Sequence, residues 1–266
     1  MPRRNHNHAL VPACRVFFSE ILKSNLFVPE HGKTFLVTPT GARCARLYGV
    51  AELKGVEHRG TISRITVNDS TASLHIYTDK ALQSGLEQPA AERRTIIAFN
   101  GTVHVREGAE MRRLIILAED VGVVEEHVRK SWILATAWQT LERIEKLRIL
   151  RSITKKEVAS QEKRTLLDLA LLYAVLEHYA LDDEKLDALA STAINAVKSM
   201  WQQYYRTTRE LIEGLVKNAG KRGLEREKLL GSLKTRGLPE EWINDLIDEL
   251  ISEGRCSESG SSVLSG

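Results

Sequence analysis

The chain has 266 residues, of which 42% are hydrophobic and 27% are charged, and its formal net charge is +3. This composition is typical of a folded globular protein, and the length allows one large domain or two small ones. No apolar run approaches the roughly 18 residues that would span a membrane, and the first residues lack the apolar core of a signal peptide. The three cysteines Cys14, Cys44 and Cys256 are too few and too widely spaced to predict a disulfide framework or a zinc site. They fit a reducing compartment, and we expect a cytoplasmic protein.

The composition changes near residue 122. Before it, β-branched and aromatic residues alternate with polar ones, and after it Leu, Ala, Glu, Lys and Arg dominate. Residues 1–120 carry 16 Lys and Arg against 12 Asp and Glu, whereas the remainder carries 22 against 23. The chain is therefore predicted to be an α+β multidomain protein, β in front and helical behind, with a mildly basic front part.

The front part is predicted to hold a flexible tail over residues 1–12 and a small β-barrel over residues 13–121. Gly49 and Gly101 lie inside long strand patterns, where glycine often marks a bulge or a sharp coil. Long strands in a set of five fit the OB-fold, a Greek-key barrel that binds oligonucleotides, while an SH3-like or other small barrel stays open as an alternative. A loop over residues 80–93 would carry a helix or an insertion. The five strands are predicted at residues 43–56, 60–68, 72–79, 94–107 and 111–118, with turns at 57–60, 68–71 and 107–108.

A single long helix is predicted over residues 122–150. It has two adjoining apolar stripes, and a helix that packs only on its own barrel needs one. The second stripe therefore packs either on later helices of this chain or on another protein. The first stripe consists of Val124, Val128, Trp132 and Ala135, and the second of Leu134, Trp138 and Leu141.

Residues 151–206 are predicted to be a further helical region. The polar stretch 151–163 is typical of a linker or a solvated turn. Two helices follow, at about residues 164–180 and 183–205, and the break between them offers an aspartate as helix cap.

Residues 207–266 are predicted to form a separate small domain. Helices at residues 207–217 and 225–234 precede a third that begins near Pro239 and ends at Gly254, and the last stretch fits a hairpin. Three short helices followed by a hairpin is the winged-helix pattern, which either reads DNA or docks proteins. The third helix carries six acidic residues and no Lys or Arg before Arg255, so we expect protein docking.

No motif of a phosphate loop, dinucleotide fold, zinc protease or serine hydrolase occurs in the chain. The paired carboxylates lie in capping contexts along the helices, and no nucleophile–base pair exceeds chance. We predict that the protein is not an enzyme, with no catalytic residue, metal or cofactor.

Four stretches together resemble a known family, the middle subunit of the heterotrimeric replication protein A and especially its archaeal OB-fold and winged-helix relatives. They are PACRVFFSEIL (12–22), TPTGARCARLYGVAEL (38–53), VNDSTASLHIYTD (67–79) and EDVGVVEEHVRKSWILATAWQTLERIE (119–145). The order of barrel, helix and winged helix is the most specific part of this resemblance.

The resemblance implies single-stranded DNA binding by the barrel. In that family two aromatic side chains on the OB face stack on bases, and Tyr77 corresponds to the first. The second position falls at Val105 or Arg106, where no aromatic residue stands and where the Arg106 guanidinium would be the substitute. The other DNA contacts implied on the neighbouring strands are His75, Arg64, Lys54 and Arg59.

The resemblance also implies the partners. The helix at residues 122–147 would join the large and small subunits of the trimer through Val124, Val128, Trp132, Ala135, Trp138 and Leu141. The winged helix would recruit replication and repair proteins. Two other functions stay open: an adaptor whose barrel binds a protein rather than DNA, and the second subunit of a telomere-capping trimer, which the TPxGxxxxR segment disfavours.

Overall fold

The computed structural model describes six stretches of the chain, residues 12–30, 33–79, 94–106, 113–152, 163–235 and 238–266. The predicted tail up to residue 11, the predicted loop 80–93, the turn at 107–108 and most of the linker 151–163 lie outside the described residues. The chain divides into two compact units, Met1–Val197 and Lys198–Gly266. None of the described helices is long and apolar enough to cross a membrane.

The described chain begins with a helix and a small sheet that the sequence did not predict. Helix α1 (Phe18–Leu22) is followed by strands β1 (Leu26–Glu30), β2 (Lys33–Val37) and β3 (Arg43–Cys44), in the order β1-β2-β3. Pro29 argues against a central strand, but β1 lies at the edge of the sheet, where proline is tolerated. The predicted strand 43–56 is also divided, because its first two residues pair with β2 and not with the barrel.

Five strands close into the predicted barrel, in the order β4-β5-β6-β8-β7. All neighbouring pairs are antiparallel except β6 and β8, which are parallel. This closed arrangement confirms the five-stranded barrel, and it has the Greek-key form of an OB-like fold. The strands are β4 (Arg46–Arg59), β5 (Ile62–Asn68), β6 (Ser73–Thr78), β7 (Ile96–Arg106) and β8 (Arg113–Val124).

Alternating residues of these strands fill the barrel. Gly49 leaves room for the ring of Phe99, since a Cβ at this position would lie 2.5 Å from it. Gly101 stands at a register shift between β7 and β8, so the predicted bulge is confirmed there. Helix α1 contributes Phe18 and Ile21 to the same core. Other fully buried members include Leu47, Ile65, Val67, Ile76 and Ile97.

The boundary between the barrel and the long helix was predicted too early. Strand β8 continues to Val124, and it pairs with β7 along its whole length. Helix α2 runs from Glu126 to Ser152. The β-branched alternation of residues 121–124 extends the strand, and the sequence prediction assigned these residues to the helix. Val124 therefore ends a strand and is not part of the helix.

Two further helices follow α2 along the chain. Helix α3 covers Lys163–His178 and helix α4 covers Asp183–Asn218. Asp182 caps α4, because its Oδ1 accepts a 2.8 Å hydrogen bond from the Lys185 amide. The predicted helices 183–205 and 207–217 are one helix. The Thr207 hydroxyl donates to the carbonyl of Gln203 at 2.9 Å, so Thr207 is an interior residue and not a cap.

The unit Lys198–Gly266 contains the last turns of α4, a 3₁₀ turn (Gly220–Arg222) and two short helices, α5 (Arg226–Lys234) and α6 (Glu240–Ser252). Strands β9 (Leu224–Glu225), β10 (Cys256–Ser259) and β11 (Ser262–Ser265) form a sheet in the order β10-β11-β9. Helix α6 begins after Pro239, and Gly254 follows its end with φ of 72°. The hydrophobic core of this unit includes Ile212, Leu229, Leu233, Leu246, Leu250 and Val263.

Candidate nucleic-acid interface

The outer face of β4, β5 and β6 brings most of the sequence-predicted DNA contacts together. Glu57, Arg64 and Tyr77 are direct neighbours across the three strands. Thr66 and His75 form the next row, opposite Gly55. Because side chains alternate across a strand, all these residues point away from the barrel core. The same strands form the face on which OB-folds bind oligonucleotides.

Tyr77 is half-buried at the centre of this face, and Arg64 lies beside it. The Arg64 guanidinium donates to the Glu57 carboxylate and also contacts the Tyr77 hydroxyl. The hydrogen bond to Glu57 raises the pKa of Arg64 and lowers the pKa of Glu57. The ion pair with Glu57 thus keeps the guanidinium of Arg64 beside the ring of Tyr77.

The other predicted cations on this face are also paired. Arg59 ends β4 and lies 3.4 Å from Glu57, and Lys54 donates to Glu52 at 2.6 Å. Arg94 donates to the same Glu52 at 2.8 Å. Burial raises the pKa of Glu52, but the hydrogen bonds and charges of Lys54 and Arg94 outweigh it and lower that pKa overall. Two carboxylates therefore hold four cations, and the face keeps a positive balance.

His75 completes the predicted cluster, with its Nδ1 3.1 Å from the Thr66 hydroxyl. The second stacking position of the resemblance falls at the end of β7. Val105 is half-buried there and pairs with Leu114, so no aromatic ring stands at this point. Arg106 is the last residue of β7, and its side chain lies outside the described residues.

Two apolar residues of this face, Leu117 and Ile62, were not predicted from the sequence. Leu117 of β8 is the parallel partner of Tyr77 and is 43% exposed, so it flanks the ring on the side opposite Arg64. Ile62 is 47% exposed at the start of β5, opposite Arg59. The apolar run LIIL at residues 114–117 offered a signal, because in a strand one of two neighbours must face outward. Both residues widen the apolar part of the platform.

The predicted subunit-interface residues of helix α2 do not share one surface. Trp132 is 3% exposed, and its Nε1 donates to the carbonyl of Tyr48 at 3.1 Å. Its ring packs edge-on against Phe17 at 5.8 Å. Trp132 therefore fastens α2 to its own barrel, which corrects its assignment to a subunit interface. Val128, Ala135 and Leu141 are half-buried.

The second stripe of α2 is divided between two environments. Leu141 packs with Ile144 and Leu147 against residues of α3 and α4, as one of the two predictions stated. Leu134 and Trp138 instead face outward, with 50% and 74% of their surfaces exposed. These two residues are an apolar patch on the helix that no described residue covers.

A cleft of about 310 Å³ lies where helix α2 meets strands β4 and β7. Gln139, which follows Trp138, lines it together with Arg15, Tyr48 and Asn100. The Arg15 guanidinium lies 5.3 Å from the centre of the Tyr48 ring, and the Asn100 Oδ1 is buried without a hydrogen-bond donor in the described part of the chain. The cleft thus offers the cation of Arg15, whereas the Asn100 acceptor is buried.

Metal-ligating side chains do not gather anywhere in the described residues. No group of three or more His, Cys, Asp or Glu residues is placed to hold a metal ion within these stretches.

No protein-family model matches the chain, and no curated protein matches it. Among solved structures, it is similar to a chain of a replication protein A heterotrimer bound to ssDNA, with 16% identity, 50% of this chain and 98% of that chain covered, and a TM-score of 0.39. A chain of the Stn1–Ten1 complex of S. pombe is 14% identical, with a TM-score of 0.35. The match covers 51% of this chain and 93% of that chain. The mitochondrial single-stranded DNA binding protein Rim1 of S. cerevisiae is 10% identical, with a TM-score of 0.24. The match covers 30% of this chain and 94% of that chain. These scores are too low to transfer what those proteins bind to this chain.

Proposed function

We propose that this chain is a non-enzymatic single-stranded-DNA-binding subunit whose outer barrel face contacts the strand. The observation that carries the proposal is the row Glu57–Arg64–Tyr77, which sets an accessible aromatic ring beside a guanidinium on an OB-like barrel. A base can stack on a ring of this kind while the neighbouring cation contacts the phosphate.

The ion pairs on this face set how strongly it binds. Exposed ion pairs are weak because water and salt screen them, so a phosphate can replace a carboxylate as the partner of Arg64 or Arg59 at low cost. The carboxylates meanwhile keep the guanidinium groups in position when DNA is absent. The face has a single aromatic residue, and its cations are paired with carboxylates. We therefore expect it to be a minor DNA surface that binds the strand together with another barrel.

Replacing Glu57 by glutamine tests the role of these pairs. The change frees Arg64 and Arg59 and removes one negative charge from the face, so we expect affinity for labelled oligo-dT to rise by about 2–5-fold at low salt. The salt dependence should steepen by roughly one in the slope of log K against log salt. Fluorescence anisotropy of the full-length chain over a salt series measures both quantities.

A matched control removes the same charge elsewhere. Glu258 pairs with Arg226 at 3.2 Å in the unit Lys198–Gly266. The variant Glu258→Gln should leave oligo-dT affinity within about twofold of the unchanged protein, because the charge lies off the proposed DNA face. Equal effects of the two variants, or weaker binding by Glu57→Gln, would contradict the proposed DNA face.

The finer assignment rests on the resemblance described above. We propose the place of the middle subunit in an archaeal replication-protein-A-like complex, working with a large and a small OB-fold subunit in replication, repair and recombination. A cytoplasmic, nucleoid-associated location follows from that role. The second subunit of a telomere-capping-like trimer is the nearest rival within the same class.

Helix α2 is the proposed assembly element. Its support is the uncovered patch of Leu134 and Trp138, which are 50% and 74% exposed. Exposed tryptophan and leucine on one turn of a helix favour a protein partner, because exposed apolar patches mark interaction sites and tryptophan is enriched among the residues that dominate interfaces. The proposed interface is therefore recentred from Trp132 to Trp138.

The variant Trp138→Ala is expected to weaken co-purification with the partner subunits by at least about tenfold, since exposed tryptophans dominate interface energetics. Its melting temperature should change little, because the side chain contributes little to the chain's own core. Native mass spectrometry of the tagged chain, isolated from cells that produce it, measures the stoichiometry. The variant Ile194→Ala, at a 41% exposed residue of α4, is the matched control. If the unchanged chain and the Trp138→Ala variant are both monomers, the assembly role is contradicted.

The C-terminal unit is the proposed docking module. Its order of helices and its hairpin fit a winged helix, and α6 presents exposed acidic residues at Glu241 and Asp245. An acidic helix repels DNA phosphates, so we propose that this module recruits replication and repair proteins.

One observation favours the second candidate function, an adaptor whose barrel binds a protein. The position of the second stacking ring holds Val105, and each described candidate arginine or lysine has an acidic partner. Substitution of Tyr77, treated in the Discussion, separates the two functions.

A further inference from the structure

Two cysteines that are far apart in sequence lie in contact. The Cys44 thiol points at the Cys14 sulfur, with 2.6 Å between the two Sγ atoms. Both thiols are free, Cys44 is buried and Cys14 is half-buried. Because of the wide spacing, the sequence analysis predicted no disulfide, so this contact is a product of the fold.

Backbone hydrogen bonds hold the two residues together. The Cys14 amide donates to the carbonyl of Arg46 at 2.8 Å, and the Tyr48 amide donates to the carbonyl of Cys14 at 2.9 Å. These bonds lay the segment before α1 along the start of β4. Cys44 ends β3, two residues before β4 begins. The folded chain therefore already brings the two sulfurs, 2.6 Å apart, close to the roughly 2.05 Å of a disulfide bond.

We propose that Cys14 and Cys44 are a thiol–disulfide pair, which a low-molecular-weight disulfide such as oxidised glutathione converts into an intramolecular disulfide. This site is independent of the proposed DNA face.

The chemistry proceeds in two exchanges. The Cys14 thiolate attacks one sulfur of oxidised glutathione, a mixed disulfide forms, and one glutathione thiolate leaves and takes up a proton. The Cys44 sulfur then loses its proton and attacks the Cys14 sulfur, the protein disulfide forms, and the second glutathione leaves. Two protein thiols are oxidised and one glutathione disulfide is reduced to two thiols.

The order of attack follows from burial. Burial and the neighbouring Cys14 raise the pKa of the Cys44 thiol well above its usual value, so little thiolate forms there. Cys14 is reached from solvent and reacts first. Cys44 is shielded from glutathione but touches the sulfur that it must attack, so it is the resolving cysteine.

The product would link the N-terminal segment covalently to the end of β3, just before the first barrel strand β4. This segment carries Phe17 and Phe18, whose rings pack against Trp132 and, for Phe18, against Phe99. A crosslink between residues 30 positions apart restricts the unfolded chain, so we expect the oxidised protein to melt about 5–10 °C above the reduced protein.

The test treats the folded, full-length protein with oxidised glutathione, then unfolds it and alkylates the remaining thiols. The reduced protein should take up three alkyl groups, and the oxidised protein one, at Cys256. Peptide mapping by mass spectrometry should find Cys14 linked to Cys44, and dithiothreitol should restore three alkylation sites.

Three variants sharpen the result. Cys14→Ser and Cys44→Ser should each abolish the crosslink and the redox-dependent change in melting temperature, and Cys256→Ser should keep both. If Cys44→Ser proves unstable, Cys14→Ser provides the comparison. A glutathione adduct that persists on Cys14, a crosslink to Cys256, or three free thiols after treatment would each overturn the proposal.

Discussion

Replacing Asp69 by alanine is expected to lower the free energy of unfolding by about 3 kcal/mol. Asp69 is 1% exposed. Its Oδ2 accepts a hydrogen bond from the Phe18 amide at 2.8 Å, and its Oδ1 accepts from the Thr71 amide and hydroxyl and from the Ala72 amide. Alanine would leave these donors without a partner in a buried site.

Asp69 joins two distant parts of the barrel, which is why the loss should be large. It closes the turn between β5 and β6 and also caps the start of α1, 51 residues away in sequence. Burial raises the pKa of Asp69, while its four hydrogen bonds act in the opposite direction. The carboxylate therefore depends on these donors for its place in the core.

Urea unfolding followed by circular dichroism measures the effect of Asp69→Ala. The matched control is Asp79→Ala, an exposed aspartate after β6, which should change stability by no more than about 0.5 kcal/mol. An equally small change for Asp69→Ala would show that water or a backbone shift satisfies the donors, and the proposed structural role would be wrong.

Replacing Tyr77 by alanine is expected to weaken oligo-dT binding by about 5–150-fold, which corresponds to the roughly 1–3 kcal/mol that one stacked base contributes. The loss combines the missing ring with the freed Arg64, whose contact to the hydroxyl disappears. Anisotropy titration of the full-length chain at fixed salt measures the affinity. The melting temperature provides the check on folding.

A tyrosine-to-phenylalanine change is the matched control for this experiment. Tyr77→Phe keeps the ring and removes only the hydroxyl, so binding should fall by about threefold or less if stacking dominates. Unchanged affinity and salt slope in Tyr77→Ala would remove the DNA role of this barrel and favour the adaptor function. Equal losses in both variants would assign the effect to the hydroxyl and Arg64.

Much of the barrel could be predicted from alternation. The pattern of residues 60–79 gave two strands, their turn and the outward direction of Tyr77 and His75, because the side-chain period of a strand is two. The same local signals placed Pro239 before a helix and Gly254 after its end. These features depend on neighbours in sequence, and the sequence contains that information.

Two of the errors have a common origin in contacts between distant segments. The edge position of β1 made Pro29 acceptable, and pairing with β7 extended β8 to Val124. In both cases a partner outside the local window determined the outcome. The helix break placed before Thr207 is a different kind of error, because the Thr207 hydroxyl donates to the Gln203 carbonyl only four residues earlier, inside helix α4.

The sequence by itself determined the β-to-α order, the five barrel strands and the presence of an aromatic residue on the outer face, because periodicity and turn chemistry are local properties. Only the tertiary structure decided that Trp132 is buried while Trp138 is exposed, and that Glu57 holds both Arg59 and Arg64. It also decided that Cys14 meets Cys44. These outcomes depend on which surfaces the closed barrel and the packed helices leave free, and strand pairing and helix packing between distant segments fix those surfaces.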